Sequence, residues 1–434
     1  MSTETEYDHQ HGLLRHSLLL LIATQIGNVC NLLFQMLMMR SLSDVEYGIL
    51  ASMLSLILIM ATPLEALRTA VAHQVALLLR LNRPSSVWPL LRMWAKYIGV
   101  AALIILLVGF PLSPALARFF HLPTAIPVVM TVIILAITLY LPYFAGGLQG
   151  AQSFRWMAAH GQVWAVIRYV AAVLLLLSFP HTAITGLTAH GISVAAGLVF
   201  GICAFHYAFL SMKSSSTYNF AGGRYFFMSL FVLAGFAVLM NADIALVKRF
   251  FSPEEAGTYA KAATISRSII FLPGPIAMAM FPKVASSGMS TLADRGILFR
   301  AVLYTTGLII LSAAFCSLAA GPIWRIFTGT FPDAETRLLL RWIVWAMAPL
   351  GLTMLLVNFE IAQHRFKAPA MLVVLALIYV AAVARWHDSF AQVLTILTGV
   401  GLASLCIMIV DMRRATIAPE SHAEPAGQSP ITPT

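Results

Sequence analysis

The sequence has few charged residues and few cysteines. Asp, Glu, Lys and Arg make up 10% of its 434 residues, whereas hydrophobic residues make up 60%. A soluble domain of this length needs far more polar surface, so the composition excludes a soluble protein and indicates a polytopic membrane protein. The four cysteines all fall in apolar stretches at unrelated spacings. We therefore expect small buried thiols, and neither a disulfide framework nor a metal site.

Common catalytic motifs are also absent. The sequence contains no GxxxxGK[ST] loop, no His-Glu-x-x-His and no Asp-x-Asp pair. The run GGLQG at 146–150 lacks the strand–turn–helix context of a dinucleotide site, and we interpret it as a loop. No basic stretch with interleaved aromatics lies outside the membrane pattern, which argues against a nucleic-acid partner. These absences favour a protein that is not an enzyme and that has no metal or cofactor.

Twelve apolar stretches are long enough to cross a membrane, since one crossing needs roughly 20 residues. Lys and Arg are more frequent in one alternating set of connections, which predicts that both termini are cytoplasmic. The net charge of +10 mostly expresses this topology. The predicted spans lie near 13–39, 47–79, 88–110, 124–145, 157–179, 184–210, 225–247, 256–281, 298–320, 337–359, 367–385 and 390–411.

One short phrase occurs twice. Residues 40–51 read RSLSDVEYGILA and residues 249–260 read RFFSPEEAGTYA, an offset of 209 residues. Both copies follow an apolar span and contain Ser-x-x-Glu, the capping box of a helix N-terminus. Pro253 suits the first helical position of the second copy. Repeated segments in matching places predict duplicated halves, which are frequent in transporters.

The duplication predicts two six-helix bundles. We expect an N-terminal cytoplasmic tail at 1–12, and the absence of a basic segment there indicates that the first span is an uncleaved anchor. The first bundle is predicted at 13–212 and the second at 225–412. A cytoplasmic linker is predicted at 213–224, and a disordered cytoplasmic tail, rich in Pro, Ser and Thr, at 413–434.

Ionisable residues inside the spans are the candidate site residues. Each costs about 2.5–3.5 kcal/mol at a helix centre, so it normally faces a partner or a water-filled cavity. Basic residues outnumber acidic ones, which suits an anionic cargo such as a phosphate or pyrophosphate. The candidates for the cavity are Arg68, Arg168, Lys261, Arg267 and Glu65, and the candidate for ion coupling is Asp243.

Each of these residues also has a structural interpretation. Glu65 and Arg68 are three residues apart on a helix and can neutralise each other. Asp243 can pair with Lys248 or Lys261, and Arg168 can extend towards the membrane surface. The sequence leaves these alternatives open.

Prolines mark two candidate bends. Pro63 lies in the second span, and Pro273, Gly274 and Pro275 lie in the eighth. The offset of 209 carries Pro63 to position 272, beside Pro273. Prolines in matching places are expected of a bending gate, and the alternative is simple curvature around a packed bundle.

Three segments resemble the polysaccharide-transporter family. They are RSLSDVEYG after the first span, NADIALVKRFFSPEEAGTYAKAATISR at 241–267 and MAMFPKVAS at 278–286. This family contains the oligosaccharide flippases, O-antigen flippases among them, of the multidrug/oligosaccharidyl-lipid/polysaccharide exporter superfamily. The resemblance covers essentially the whole chain. It implies an all-α, MATE-like fold with two six-helix bundles around a V-shaped central cavity. It also implies flipping of a polyprenyl-diphosphate-linked oligosaccharide across a bacterial inner membrane by alternating access.

The resemblance bears on two of the arginines. In related lipid-II flippases, arginines of the second and eighth helices face the cavity, and Arg68 and Arg267 lie in the matching helices. Those relatives have two further spans that this chain lacks.

Three alternatives remain from the sequence. A cation-coupled multidrug exporter needs Asp243, with Asn28, Asn31 or Asn241, to bind Na⁺ or H⁺. A membrane-embedded glycan polymerase or ligase needs a large outer loop, and the longest here, near 321–336, is short. The third is a partner of glycan-assembly proteins that transports nothing itself.

Overall fold

The computed structural model describes residues 2–210, 223–270 and 292–417, with side-chain contacts within 22–210, 223–268 and 302–412. All regular structure in these residues is helical. Many large apolar side chains point outwards, including Leu177 and Leu318. Such an apolar surface is expected where lipid surrounds the protein. Helices are stable there because they satisfy their own backbone hydrogen bonds.

The N-terminal half (residues 2–210) consists of helices joined by short connections. A 3₁₀ turn at Thr62–Leu64 separates α2 from α3, and another at Pro84–Ser86 precedes α4. The helices are α1 (Ser2–Ser41), α2 (Asp44–Ala61), α3 (Glu65–Arg80), α4 (Val87–Phe119), α5 (Ile126–Thr138), α6 (Tyr140–Gly150), α7 (Phe154–Ser178) and α8 (Ala183–Phe209).

The C-terminal half (residues 223–417) is likewise helical over its described residues. α2 of the first half packs along α9 and α10 of the second half, and this contact joins the halves. The helices are α9 (Gly223–Phe250), α10 (Pro253–Ile270), α11 (Leu292–Leu318), α12 (Ala320–Thr328), α13 (Ala334–Ala362), α14 (Lys367–Arg385) and α15 (Phe390–Ile417).

The spans agree closely with those predicted. Ten helices within the described ranges are long and apolar enough to cross a membrane. An eleventh candidate is the bent pair formed by Val302–Leu318 and Ala320–Thr328, which meet at 81°. The remaining predicted span, 256–281, begins in α10, and its second part lies outside the described residues. The chain is therefore a multi-pass, all-helical membrane protein.

The same offset relates the helix boundaries of both halves. Helices α2 and α10 begin 209 residues apart, and Pro253 is the first residue of α10, as predicted. The second capping box is complete, because the Ser252 hydroxyl accepts a hydrogen bond from the Glu255 N–H at 3.4 Å and the Glu255 carboxylate accepts one from the Ser252 N–H at 3.0 Å. The first box is only half formed. Ser43 caps the Glu46 N–H, but the Glu46 carboxylate accepts a hydrogen bond from the Ala183 N–H at 2.6 Å.

The interpretation of GGLQG as a loop is wrong. Residues 146–150 form the end of α6, which packs against α3. A Cβ atom on Gly146 would collide with the carbonyl oxygen of Arg68, and one on Gly150 with that of Ala72. The four-residue spacing of the glycines places both on one helix face, where they let two backbones approach closely.

Two smaller expectations also change. The connection predicted near 321–336 contains the helix α12, because the apolar stretch continues beyond residue 320 after a sharp bend. The cysteines are free, as predicted, but only Cys316 is buried. Cys203 and Cys406 are exposed on the outer helix surfaces. Thiols tolerate this position because a lipid-facing surface accepts small apolar groups.

Candidate functional site

The two copies of the repeated phrase meet at one end of the molecule, which we call the repeat end (residues 40–51 and 249–260). Gly48 of α2 and Gly257 of α10 face each other there. A Cβ atom on Gly257 would overlap the carbonyl oxygen of Asp44, and one on Gly48 would lie 3.1 Å from the Gly257 Cα. The absence of side chains at both positions therefore allows the two halves to close against each other at this end.

An ion pair crosses between the halves just inside this contact. The Lys261 Nζ donates a hydrogen bond to Asp44 Oδ1 at 2.6 Å. The Lys261 side chain is largely buried, whereas that of Asp44 is 47% exposed. Lys261, a predicted cavity residue, therefore has its charge directed towards the repeat end.

The repeated arginines form two further contacts between the halves. Arg40 donates a hydrogen bond to the Ile326 carbonyl of α12 at 2.6 Å. Arg249 Nη1 lies 2.8 Å from His121 Nε2, just beyond α4, and its guanidinium covers the Phe119 ring at 5.0 Å. Each arginine thus reaches into the half to which it does not belong. Together with the glycine contact, these bonds close the repeat end.

Arg168 of α7 is a buried cation in the N-terminal half. It is only 7% exposed, and it forms no ion pair within the described parts of the chain. Its guanidinium donates to Asn31 Oδ1 at 2.6 Å and lies 3.4 Å from His190 Nδ1. It also covers the rings of Phe34 at 4.2 Å and Trp164 at 5.3 Å. Its Nε atom has no hydrogen-bond partner. Arg168 therefore remains a full positive charge held by neutral groups.

Arg267 of α10 is a largely buried cation of the C-terminal half. It forms an ion pair with Asp243 of α9, whose side chain is fully buried. The other carboxylate oxygen of Asp243 accepts a hydrogen bond from the Tyr259 hydroxyl at 3.1 Å. Pairing of Asp243 with either of the two lysines considered from the sequence does not occur.

Tyr47 is a fully buried residue with partners in both halves. Its hydroxyl donates to Gln35 of α1 at 3.1 Å and is hydrogen-bonded to Thr264 of α10. It interacts electrostatically with both Arg168 and Arg267. Two of the predicted arginines, one from each half, thus act electrostatically on one buried tyrosine of the repeat end.

Arg68 and Glu65 lie elsewhere. Arg68 is 20 residues beyond Gly48 along α2 and α3, which is about 30 Å at the helical rise. Its side chain is 41% exposed and pairs with Glu65 at 3.0 Å, and its Nε donates to Gln149 at 3.2 Å. Glu65 and Arg68 therefore neutralise each other, as the structural interpretation predicts, and they lie far from Tyr47.

The prolines are only partly described. Pro63 is buried in the 3₁₀ turn at Thr62–Leu64, which interrupts the long second span. Its predicted counterparts, Pro273, Gly274 and Pro275, lie outside the described residues. Their role in a gate stays a prediction.

A further buried carboxylate lies at the opposite end of the C-terminal half. The Glu360 side chain is fully buried, and Arg365 lies 3.2 Å from it and 2.6 Å from Asp411. This cluster ties the end of α13 to α15. The cluster lies at the C-terminal end of α13, and it contributes to the packing of this half.

An apolar groove of about 560 Å³ lies between α1 and α7. Ile26, Val163 and Ile167 line it, with Arg155 as its one charged side chain. Its walls suit hydrocarbon, and it does not include the arginines at Tyr47.

Several residues of this arrangement escape prediction from sequence. Tyr47 gives a weak signal because it belongs to the repeated phrase, although the second copy has alanine at that position. Asn31 was considered as an aid to cation binding, and the structure places it on Arg168 instead. Gln35, Thr264 and His190 give no signal, since polar residues of their kind occur in many spans.

No protein-family model matches the sequence, and no curated protein matches it. Solved structures do. The chain is similar to the inward-facing conformation of a multidrug resistance MATE family transporter of the MOP superfamily, with a TM-score of 0.69 and 12% identity over 93% of this chain and 100% of that one. It is also similar to the lipid II flippase MurJ in an inward closed conformation, with a TM-score of 0.66 and 13% identity over 91% of this chain and 87% of that one.

A third similar structure is the outward-facing conformation of a MATE family transporter, with a TM-score of 0.58 and 12% identity over 93% of this chain and 95% of that one. The chain therefore has the predicted MATE-like fold. The TM-score is higher for the inward-facing structure than for the outward-facing one.

Proposed function

We propose that this protein is a transporter that flips a polyprenyl-diphosphate-linked oligosaccharide from the inner to the outer leaflet. The glycan is a unit of O-antigen, capsule or exopolysaccharide. The observations that carry the proposal are the largely buried guanidinium groups of the two halves, Arg168 and Arg267, and their shared electrostatic effect on Tyr47. Guanidinium groups bind phosphate oxygens bidentately, so two of them suit a diphosphate.

The proposed orientation places the repeat end outside the cell. Fewer Lys and Arg residues lie in the connections at that end, and positive residues accumulate on the cytoplasmic side of membrane proteins. Both termini are then cytoplasmic, and the membrane is a bacterial inner membrane. A repeat end that is closed leaves the cavity accessible from the cytoplasm, where lipid-linked sugars are assembled.

The proposed mechanism is alternating access without chemistry. The diphosphate and sugars enter from the cytoplasm and reach Arg168 and Arg267, while the polyprenyl tail stays in lipid. One half then rocks against the other, which separates Gly48 from Gly257 and breaks the Lys261–Asp44 pair. Because the ion pair is partly exposed and the glycine contact is small, we expect both to break and reform at low energetic cost.

A cation-coupled multidrug exporter is the second candidate. The similarity to a multidrug transporter and the buried carboxylate of Asp243 favour it. However, Asp243 already pairs with Arg267 and accepts a hydrogen bond from Tyr259. A bound Na⁺ would have to displace Arg267, so this candidate is the weaker one.

Mass spectrometry of lipid extracts from cells that lack the protein tests the proposal. We expect a completed polyprenyl-diphosphate oligosaccharide to accumulate, and its mass would identify the cargo. Re-expression of the wild-type protein is the control and should remove the accumulated glycolipid. Continued glycan export without accumulation would contradict the proposal, and efflux of a cationic dye would then be tested for dependence on Asp243.

A further inference from the structure

Within the described parts of the chain, the guanidinium of Arg267 uses little of its hydrogen-bonding capacity. It contacts Asp243 through a single terminal nitrogen, and its buried Nε atom has no partner. The Arg267 side chain is 14% exposed, whereas Asp243 is completely buried. A guanidinium offers five N–H donors. The ion pair therefore neutralises the charge of Arg267 but leaves donors available for a second anion.

The surroundings of Asp243 contain a spare donor as well. Tyr379 is fully buried on α14, which packs along α9, the helix of Asp243, and its hydroxyl has no hydrogen-bond partner. It also interacts electrostatically with Asp243 and Arg267. An unpaired buried hydroxyl costs about 1–3 kcal/mol, so it is unexpected in a cluster that has only a packing role. It becomes useful if Asp243 loses its contact with Arg267, because the free carboxylate oxygen then needs a donor.

We infer that Asp243 is an internal counter-ion that the diphosphate of the cargo displaces from Arg267. This inference rests on the proposed function. In the empty protein, Asp243 neutralises Arg267 and lets the empty cavity close. When cargo binds, the diphosphate takes Arg267, and Asp243 is held by Tyr259 and Tyr379. Release of the cargo restores the internal ion pair. Asp243 is thus a positioning residue that weakens cargo binding and favours release.

Titration of the purified, detergent-solubilised protein with inorganic pyrophosphate tests the inference. The Asp243→Asn variant should bind pyrophosphate at least about fivefold more tightly than wild type, because no carboxylate competes for Arg267. Arg267→Gln should abolish this binding in either background. Asp411→Asn is the matched control, since it removes a carboxylate from a different ion pair of the same half and should leave the affinity unchanged.

The variant Tyr379→Phe distinguishes a role of the Tyr379 hydroxyl in cargo binding from a role in stability. Its hydroxyl has no partner in the empty protein, so its loss should not lower the thermal unfolding temperature. It should nevertheless weaken pyrophosphate binding severalfold, because the displaced carboxylate then lacks its second donor.

The outcomes distinguish this inference from the proposed function. If wild type binds pyrophosphate and Arg267→Gln does not, but Asp243→Asn binds no more tightly than wild type, the inference is overturned and the proposed anion-binding cavity stands. If folded wild-type protein and Asp243→Asn both fail to bind pyrophosphate, both are overturned. If pyrophosphate binding by wild type depends on sodium and that of Asp243→Asn does not, Asp243 binds a cation, and the inference is also overturned.

Discussion

The two halves hold their buried arginines in opposite ways. Arg168 in the N-terminal half is held by an amide, an imidazole and aromatic rings, whereas Arg267 in the C-terminal half is held by a carboxylate. The offset of 209 residues carries Phe34, which supports Arg168, onto Asp243, which neutralises Arg267. The two halves therefore have an apolar and an acidic residue at equivalent positions. As a result, Arg168 keeps its positive charge unpaired within the described residues, whereas Asp243 neutralises the charge of Arg267.

Replacing each arginine by lysine should break this comparison most strongly. In Arg168→Lys the ammonium cannot reproduce the planar contacts with Phe34 and Trp164, and we expect cargo binding to weaken by about 2 kcal/mol. In Arg267→Lys the ammonium can still pair with the buried Asp243. The C-terminal half is then less perturbed, and a larger share of transport remains. Glycolipid accumulation in complemented cells, corrected for protein level, measures both. Equal losses in the two variants would show that the halves do not differ in this way.

The repeated glycines should also respond unequally. A methyl group at position 257 overlaps a backbone oxygen, so Gly257→Ala should destabilise the closed repeat end by about 1–3 kcal/mol. Gly48→Ala, the matched variant of the other half, meets its neighbour at 3.1 Å and should cost less.

Spin-label distances between positions 179 and 331 measure this opening. Phe179 and Phe331 are exposed in connections of opposite halves at the repeat end. Labelling requires replacement of the native cysteines, two of which are exposed. A longer distance in Gly48→Ala than in Gly257→Ala would contradict the geometry described above.

The ion pair across the repeat end should tolerate exchange of its partners. Asp44→Lys or Lys261→Asp alone should favour opening by about 1 kcal/mol or less, because Asp44 is half exposed. The double exchange should restore most of the closed population, as read by the same spin-label distance. Two losses that simply add would mean that the pair does not stabilise this end.

The repeated arginines at the surface should have the smallest effect. Arg40→Gln and Arg249→Gln each remove one contact between the halves, and we expect shifts of a few tenths of a kcal/mol that are similar in both. The spin-label distance again gives the measurement. If only one variant opens the repeat end, the two contacts are not equivalent.

The sequence predicts the frame of the fold because the frame depends on local signals. Apolar spans, the capping serines Ser43 and Ser252 and the proline at 253 specify where helices begin, and the structure has α2 and α10 in matching places. The 81° bend before α12 escapes prediction, since an apolar stretch without a break reads as one helix.

The site is less predictable because its partners are distant in sequence. Arg168 binds Asn31 across 137 residues, and Lys261 binds Asp44 across 217. Residue type identifies these side chains as costly within a membrane, but the helix packing decides which of them meet. Arg68 is the opposite case, because its partner Glu65 is only three residues away and their pairing is predictable from the sequence.

Direct observation of flipping in proteoliposomes tests the central claim. Purified protein is reconstituted with the accumulated glycolipid, and a membrane-impermeant reagent that modifies the glycan is added outside. With wild-type protein, we expect modification to proceed to nearly all of the glycolipid, whereas Arg168→Gln/Arg267→Gln liposomes should stop at the outer-leaflet fraction. Modification that stops at the outer-leaflet fraction with folded wild-type protein would contradict the account.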